Sequence, residues 1–197
     1  MMDDRATFVL GIAGSPRRGG NSERLLDACL AGVEERGAST GKLAVADFDI
    51  VPCTGCGACA RTGACVIADD MPALLERLDT ASAIVVASPV YFASVPAGLK
   101  AFYDRLQPYW SRRYVLGEAV TRYRPGAILL AAAGGDPYGH ECAETTTRSA
   151  FASVGVRFTE KLVVVGPDAR GDIEGYPDSC VEARAIGSSI ADATEDP

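Results

Sequence analysis

At 197 residues, 48% of them apolar, the chain can form one α/β domain that buries roughly 70% of its unfolded surface without disulfide staples. A net charge of −7 argues against a nucleic-acid binder, which needs a basic stripe, and no apolar run reaches the ~20 residues required to cross a bilayer. Residues 1–5 are acidic and unlike a signal peptide, so a cytoplasmic location is expected, where seven cysteines stay reduced and suit metal binding or catalysis.

The first apolar run, residues 8–13, has the length and the Val, Ile, Leu and Ala content of a strand buried on both faces. A glycine-rich turn follows, then an amphipathic stretch at 22–36, with Asn21 or Ser22 as its cap and Gly37 as its end. A second strand is expected at 43–48. Residues 51–68 exceed the usual loop length and carry four cysteines. A helix at 70–78 leads to a third strand at 83–87 and a helix at 96–106 opened by Pro96. Residues 108–125, rich in Tyr and Arg around Trp110, read as a second long loop. A strand at 127–132, a helix at 141–153, a strand at 162–165 and a helix at 179–190 complete the pattern. The polar tail, 191–197, is expected to fray. No repeat or linker divides residues 1–197, and the alternation of strand and helix predicts one α/β domain with a doubly wound, five-stranded parallel sheet.

The turn after the first strand reads Gly14-Ser15-Pro16-Arg17-Arg18-Gly19-Gly20-Asn21-Ser22. Unpaired N–H groups and the helix dipole attract an anion where such a strand feeds a helix. Glycines such as Gly20 let the backbone close around a phosphate. Ser15, Asn21 and Ser22 offer neutral hydrogen bonds, and Arg17 a charge-assisted one. A Walker A loop would place Lys and then Ser or Thr after the second glycine, where Gly20 and Asn21 stand. The dinucleotide fingerprint G-x-G-x-x-G is also missing, because Gly11-Ile12-Ala13 does not supply it. A mononucleotide phosphate is therefore favoured over a plain surface turn.

The third strand opens into Ser88-Pro89-Val90-Tyr91-Phe92, next to the topological switch point where such sheets bind ligands. Backbone groups of Pro89 and Val90 can read a flavin's polar edge, with Tyr91 and Phe92 as an aromatic wall; alternatively these rings only cap the core. Gly134 and Gly135 begin a third loop on the same rim.

Taken together, G-S-P-R-x-x-x-N-S after the first strand and S-P-V-Y-(four residues)-P-A-x-L-K-x-F-x-D-R after the third resemble the NADPH-dependent FMN reductase superfamily. The likeness spans most of residues 7–165. It implies a flavodoxin-like fold with strand order 2-1-3-4-5, FMN at the three rim loops, and reduction by NAD(P)H or a reduced partner protein. The motifs point to fold and cofactor, and leave the substrate open.

The long loop carries cysteines spaced C-x₂-C-x₂-C-x₅-C, from Cys53 to Cys65. Four thiols this close can wrap one inorganic cluster. The ferredoxin run differs, having C-x₂-C-x₂-C-x₃-C-P. Four thiolates also suit zinc, although structural zinc sites usually join two separated pairs, and free packing thiols are a third reading. The loop and the Val66-Ile67-Ala68-Asp69-Asp70-Met71 that follows resemble the iron–sulfur flavoprotein branch of the same superfamily. That resemblance implies a 4Fe–4S cluster held by Cys53, Cys56, Cys59 and Cys65. It also implies a homodimer or homotetramer in which one subunit's cluster approaches another's flavin, and Tyr109, Trp110 and Tyr114 are candidates for such an interface.

Cys29, Cys142 and Cys180 fall on expected helices and read as small core residues. The single histidine, His140, reads as a surface or capping residue at a helix start. No Ser/His/Asp set is evident, which suits chemistry carried by a cofactor. An FMN-dependent oxidoreductase exchanging electrons with a small molecule or a redox protein such as a ferredoxin is expected. An NAD(P)H-dependent FMN or quinone reductase without a cluster is the second expectation, and a non-catalytic carrier or redox sensor the third.

Overall fold

The computed structural model describes residues 7–120 and 122–195. The acidic start at 1–5 and the last two residues of the tail, 196–197, lie outside the described residues. Five parallel strands, β1 (Phe8–Ala13), β2 (Ser39–Ala44), β3 (Ala83–Pro89), β4 (Arg124–Ala132) and β5 (Val156–Val165), lie in the order β2-β1-β3-β4-β5. The helices are α1 (Asn21–Glu35), α2 (Cys59–Thr62), α3 (Met71–Thr80), α4 (Ala97–Asp104), α5 (Gln107–Tyr114), α6 (Glu141–Ala152) and α7 (Pro177–Glu195). This is the flavodoxin-like arrangement expected from the motif resemblance.

The pleat sorts each central strand onto two faces. Leu10, Ile12, Ile84, Val86, Ile128 and Leu130 pack with Met71, Leu74, Leu99, Phe102 and Phe151 from α3, α4 and α6. Val9, Ala13, Val85, Ala87, Ala127 and Leu129 pack with Leu25, Leu26, Val33 and Ile186 from α1 and α7. Among the described residues, no helix is long and apolar enough to cross a membrane.

The edge strands depart most from expectation. β2 begins four residues earlier than read and ends at Ala44, with Val45–Asp47 forming a short 3₁₀ turn. β5 begins at Val156, well before the apolar run. β5 alternates buried and less buried positions and the first four residues of β2 are not buried, so only part of each resembles a strand covered on both faces.

Two segments read as irregular are helical. Within 108–125 lies α5, started by a proline in its first turn and held by tertiary bonds. The Tyr109 hydroxyl donates to Asp79 Oδ1 (2.7 Å), and Arg112 Nε donates to the Gly63 carbonyl (2.8 Å). The tail expected to fray is the last part of α7, which runs to Glu195 and buries Ile190 and Ala191. Of the three helix cysteines, Cys29 is buried and its thiol pKa is pushed up to about 12 by that burial, Cys180 is half-buried, and Cys142 is exposed rather than in the core.

Candidate functional site

Backbone bonds carry the sheet's hydrogen bonding into the rim loops and fix where they start. Gly14 N–H donates to the Ala87 carbonyl (2.8 Å), Val90 N–H to Ala131 (3.0 Å), and Gly166 N–H to Ala132 (2.8 Å). Between them lies a narrow cleft of about 40 Å³ lined by Ser15, Arg17, Gly20, Asn21 and Ser22 after β1 and by Pro89, Val90 and Tyr91 after β3. Those eight are sequence-predicted site residues, brought together from two loops. The cleft's size suits a small anion, with any ring system lying outside it along the rim. Gly20 occupies the cap position of α1. A Cβ there would stand 3.2 Å from the Arg17 carbonyl and 3.6 Å from Ser15 Oγ, so the glycine lets this loop close on a phosphate-sized group. Ser15 Oγ accepts the Arg17 N–H (3.0 Å) and keeps its own proton for a ligand.

Asn21 has a different task from the one read in the sequence. It does not cap α1 with its side chain, and its amide is engaged elsewhere. Nδ2 donates to the Ala169 carbonyl (2.9 Å), while Oδ1 accepts from Gly171 N–H (3.2 Å) and Ile173 N–H (3.3 Å). It thereby pins the connection between β5 and α7, whose Pro167 and Asp168 complete the cleft wall. Arg17 Nη2 donates to the Asp168 carbonyl (3.1 Å) across the same seam. Sequence reasoning passed over Pro167 and Asp168. The available signal was their position just after the fifth apolar run, on the rim shared by the other loops.

The remaining predicted rim residues stand outside the cleft. Gly134 and Gly135 are exposed and take positive φ in the turn after β4, where Ala133 is the residue that reaches the wall. Tyr91 and Ser94 exchange both backbone hydrogen bonds (2.8 and 3.0 Å), closing a two-residue turn. Its central residues, Phe92 (φ 49°) and Ala93 (φ 59°), both occupy the left-handed region where Asn-Gly is usual. Side chains there cost on the order of 1–3 kcal/mol each. Phe92 is 98% exposed, so its ring is no wall of the cleft.

Glu23, also missed, stabilises the back of the phosphate loop. In the first turn of α1, it accepts the Gly19 N–H (2.6 Å) and pairs with Arg18 (2.8 Å) and Lys42 (3.0 Å). Burial opposes its charge, yet the Gly19, Lys42 and Arg18 bonds outweigh it and hold the carboxyl below the usual range. A lowered folded pKa means this stabilisation is present above the unfolded value, about 4.3, and is lost as pH falls through the folded one. Glu23→Gln is therefore expected to be less stable than wild type at neutral pH, with the gap closing below about pH 4. Urea unfolding of both proteins across that range checks it; a gap independent of pH would show that the Glu23 charge contributes nothing.

A second cavity, about 340 Å³, lies under the cysteine loop and is lined by Cys53, Cys56, Cys59 and Cys65 together. The start of α5 supplies Gln107, Pro108, Trp110 and Ser111 to its wall, and Asp104 and Arg105 come from the end of the segment begun at Ser88. Ser111 Oγ donates to Cys59 Sγ (3.3 Å). A backbone N–H from Ala58 reaches the Cys56 sulfur and lowers its pKa, favouring the thiolate that binds metal. Among the described residues, no three His, Cys, Asp or Glu side chains converge tightly enough to hold a single metal ion. His140 sits at the cap position of α6, as its helix-start location suggested.

An open parallel sheet with a phosphate-sized cleft at its β1/β3 switch point defines a flavodoxin-like, mononucleotide-type α/β protein. The family model for NADPH-dependent FMN reductases matches residues 7–169, and the chain belongs to that family of FMN-dependent oxidoreductases. An iron–sulfur flavoprotein of Archaeoglobus fulgidus is 36% identical over 189 residues, 95% of this chain and 80% of that protein. One from Methanosarcina thermophila is 43% identical over 97 residues, 49% of this chain and about half of that protein (51%). Among solved structures, an NAD(P)H:quinone oxidoreductase from Methanothermobacter marburgensis superposes with a TM-score of 0.74 at 19% identity, over 93% of this chain and 96% of that one, a likeness of fold.

Proposed function

We propose that this protein is an FMN-dependent electron-transfer oxidoreductase carrying a second redox centre, a 4Fe–4S cluster held by Cys53, Cys56, Cys59 and Cys65. One observation carries the second centre: all four thiols border a single cavity. A cluster spaces its thiolates around a body larger than a single ion, which suits four thiols bordering a cavity of about 340 Å³. The names of the archaeal relatives support the same reading.

When bound, FMN supplies the step between one- and two-electron transfers and the cluster supplies single-electron capacity. The chain's own groups do the rest. The Ser15 hydroxyl, the N–H groups at the start of α1 and the Arg17 guanidinium would hold the phosphate, and the backbone of Pro89 and Val90 would face the ring edge. Ser111 donates to one ligand sulfur and the loop amides to another, which stabilises negative charge on the thiolates. NAD(P)H or a ferredoxin-type protein would supply electrons to a small-molecule or protein acceptor. Trp110 and Tyr114, with ring centroids 5.5 Å apart in a tilted pair and about half exposed, suit the interface of a homodimer or homotetramer.

Iron, acid-labile sulfide and the visible spectrum of anaerobically purified protein test this reading. Flavin alone gives two resolved bands, and a cluster fills the gap between them with broad absorption. Flavin without iron would leave the second reading, an NAD(P)H-dependent FMN or quinone reductase. Turnover of NAD(P)H with quinone or ferricyanide would separate both from a passive carrier.

A further inference from the structure

The cysteine loop is closed at its base by one buried ion pair. Arg105 and Asp69 are each 1% exposed at the side chain. Arg105 Nη1 donates to Asp69 Oδ2 (2.5 Å) and to the Val51 carbonyl (2.7 Å), and Nη2 donates to Asp69 Oδ1 (3.0 Å). Asp69 in turn accepts the N–H groups of Val51 (2.9 Å) and Met71 (3.0 Å). Val51 and Asp69 flank the four cysteines, so a single guanidinium holds both ends of the segment that carries them.

One donor of that guanidinium is left over. Arg105 Nε is the one buried side-chain nitrogen or oxygen among the described residues without a hydrogen-bond partner. A buried donor without an acceptor is costly, more so when charged, and native proteins rarely tolerate one without a reason. Arg105 also lies in the wall of the cavity bordered by the four thiols. The Arg–Asp pair needs only the Nη edge, which leaves the Nε–H of this wall residue without an acceptor.

We propose that Arg105 is a positioning residue for the sulfur side of this centre, clamping the loop's two ends and donating its Nε–H to the Cys65 thiolate or to a cluster sulfide beside it. This rests on the cluster reading given above. An arginine guanidinium keeps its proton in proteins. Arg105 therefore remains a fixed positive charge at any working pH. Donors and positive charge beside the sulfurs favour the more negative, reduced state of a cluster, so Arg105 would raise its potential.

The test is a redox titration of the holoprotein followed by electron paramagnetic resonance, on wild type, Arg105→Lys and the double variant Arg105→Met/Asp69→Asn. The double variant leaves no unpaired buried carboxylate, and the lysine variant keeps the charge while losing the Nε donor. Both are expected to move the cluster midpoint to more negative potential, the double variant further, and to lose iron to a chelator several-fold faster, with FMN content unchanged. An unchanged cluster potential in a folded variant that holds iron overturns the Arg105 assignment alone. A wild type without iron and sulfide overturns this inference and the cluster reading together, and the iron assay tells the two failures apart.

Discussion

Gly187→Ala is expected to lower the unfolding free energy by about 3 kcal/mol or more, seen as a lower urea midpoint at an unchanged slope. Helix propensity alone predicts the opposite sign, since alanine in a helix interior is favoured over glycine by about 1 kcal/mol. Packing decides. A Cβ at Gly187 would stand 1.9 Å from the Cys29 carbonyl oxygen and 3.1 Å from the Val33 amide nitrogen. The reciprocal position, Gly32 on α1, would place a Cβ 2.0 Å from the Arg184 carbonyl oxygen. Both obstacles are backbone, which cannot turn aside as a side chain can, so α1 and α7 would have to part. A stabilised Gly187→Ala protein would show that the two helices do not pack this closely.

Asn21→Ala should cost about 2–3 kcal/mol and weaken FMN binding as well, through one cause. The 6%-exposed amide makes three bonds to the Ala169–Ile173 connection, and that connection carries Pro167 and Asp168 into the cleft wall. Asn21→Asp keeps the two acceptor bonds and loses the donor, so its effect should be intermediate. Urea unfolding of the FMN-free protein, paired with a flavin fluorescence titration, separates this role from direct phosphate binding. A direct ligand would weaken FMN while leaving the stability of the FMN-free protein in place; that outcome would remove the tether from the account.

The sheet's central strands were legible because burial on both faces writes a continuous apolar run, and β1 appears at its expected bounds. The first halves of β2 and β5 were not, because Ser39, Lys42, Arg157 and Thr159 are exposed and interrupt any apolar run. The helix α5 was hidden for another reason. Its Tyr-Trp-Ser-Arg-Arg-Tyr core has no strong helix former apart from arginine, and the helix is held by bonds to Asp79 and Gly63 from elsewhere in the chain. At the rim, the structure brings residues of the two main loops into one cleft but divides the labour among them differently from their residue types. Asn21 looks like a phosphate ligand by spacing, and only the fold reveals three partners about 150 positions away. The cysteine spacing announced a shared site, while the walls from α5 and Arg105 could not be read from a local pattern.

The base of the cysteine loop resembles the stem of a hairpin. Besides the bonds at Val51 and Asp69, Asp70 N–H donates to the Asp49 carbonyl (3.2 Å), and Asp49 N–H donates to Asp70 Oδ2 (2.8 Å). With entry and exit fixed side by side, the entropy of closing whatever lies between them rises only slowly with its length, about 0.6 kcal/mol per doubling. The segment thus behaves as an exchangeable cassette plugged into a socket of backbone and one ion pair. Evolution could shorten, lengthen or rewrite residues 52–68 while the sheet and the phosphate cleft stayed as they are. One scaffold could in this way keep its phosphate cleft with or without the cysteine site proposed above.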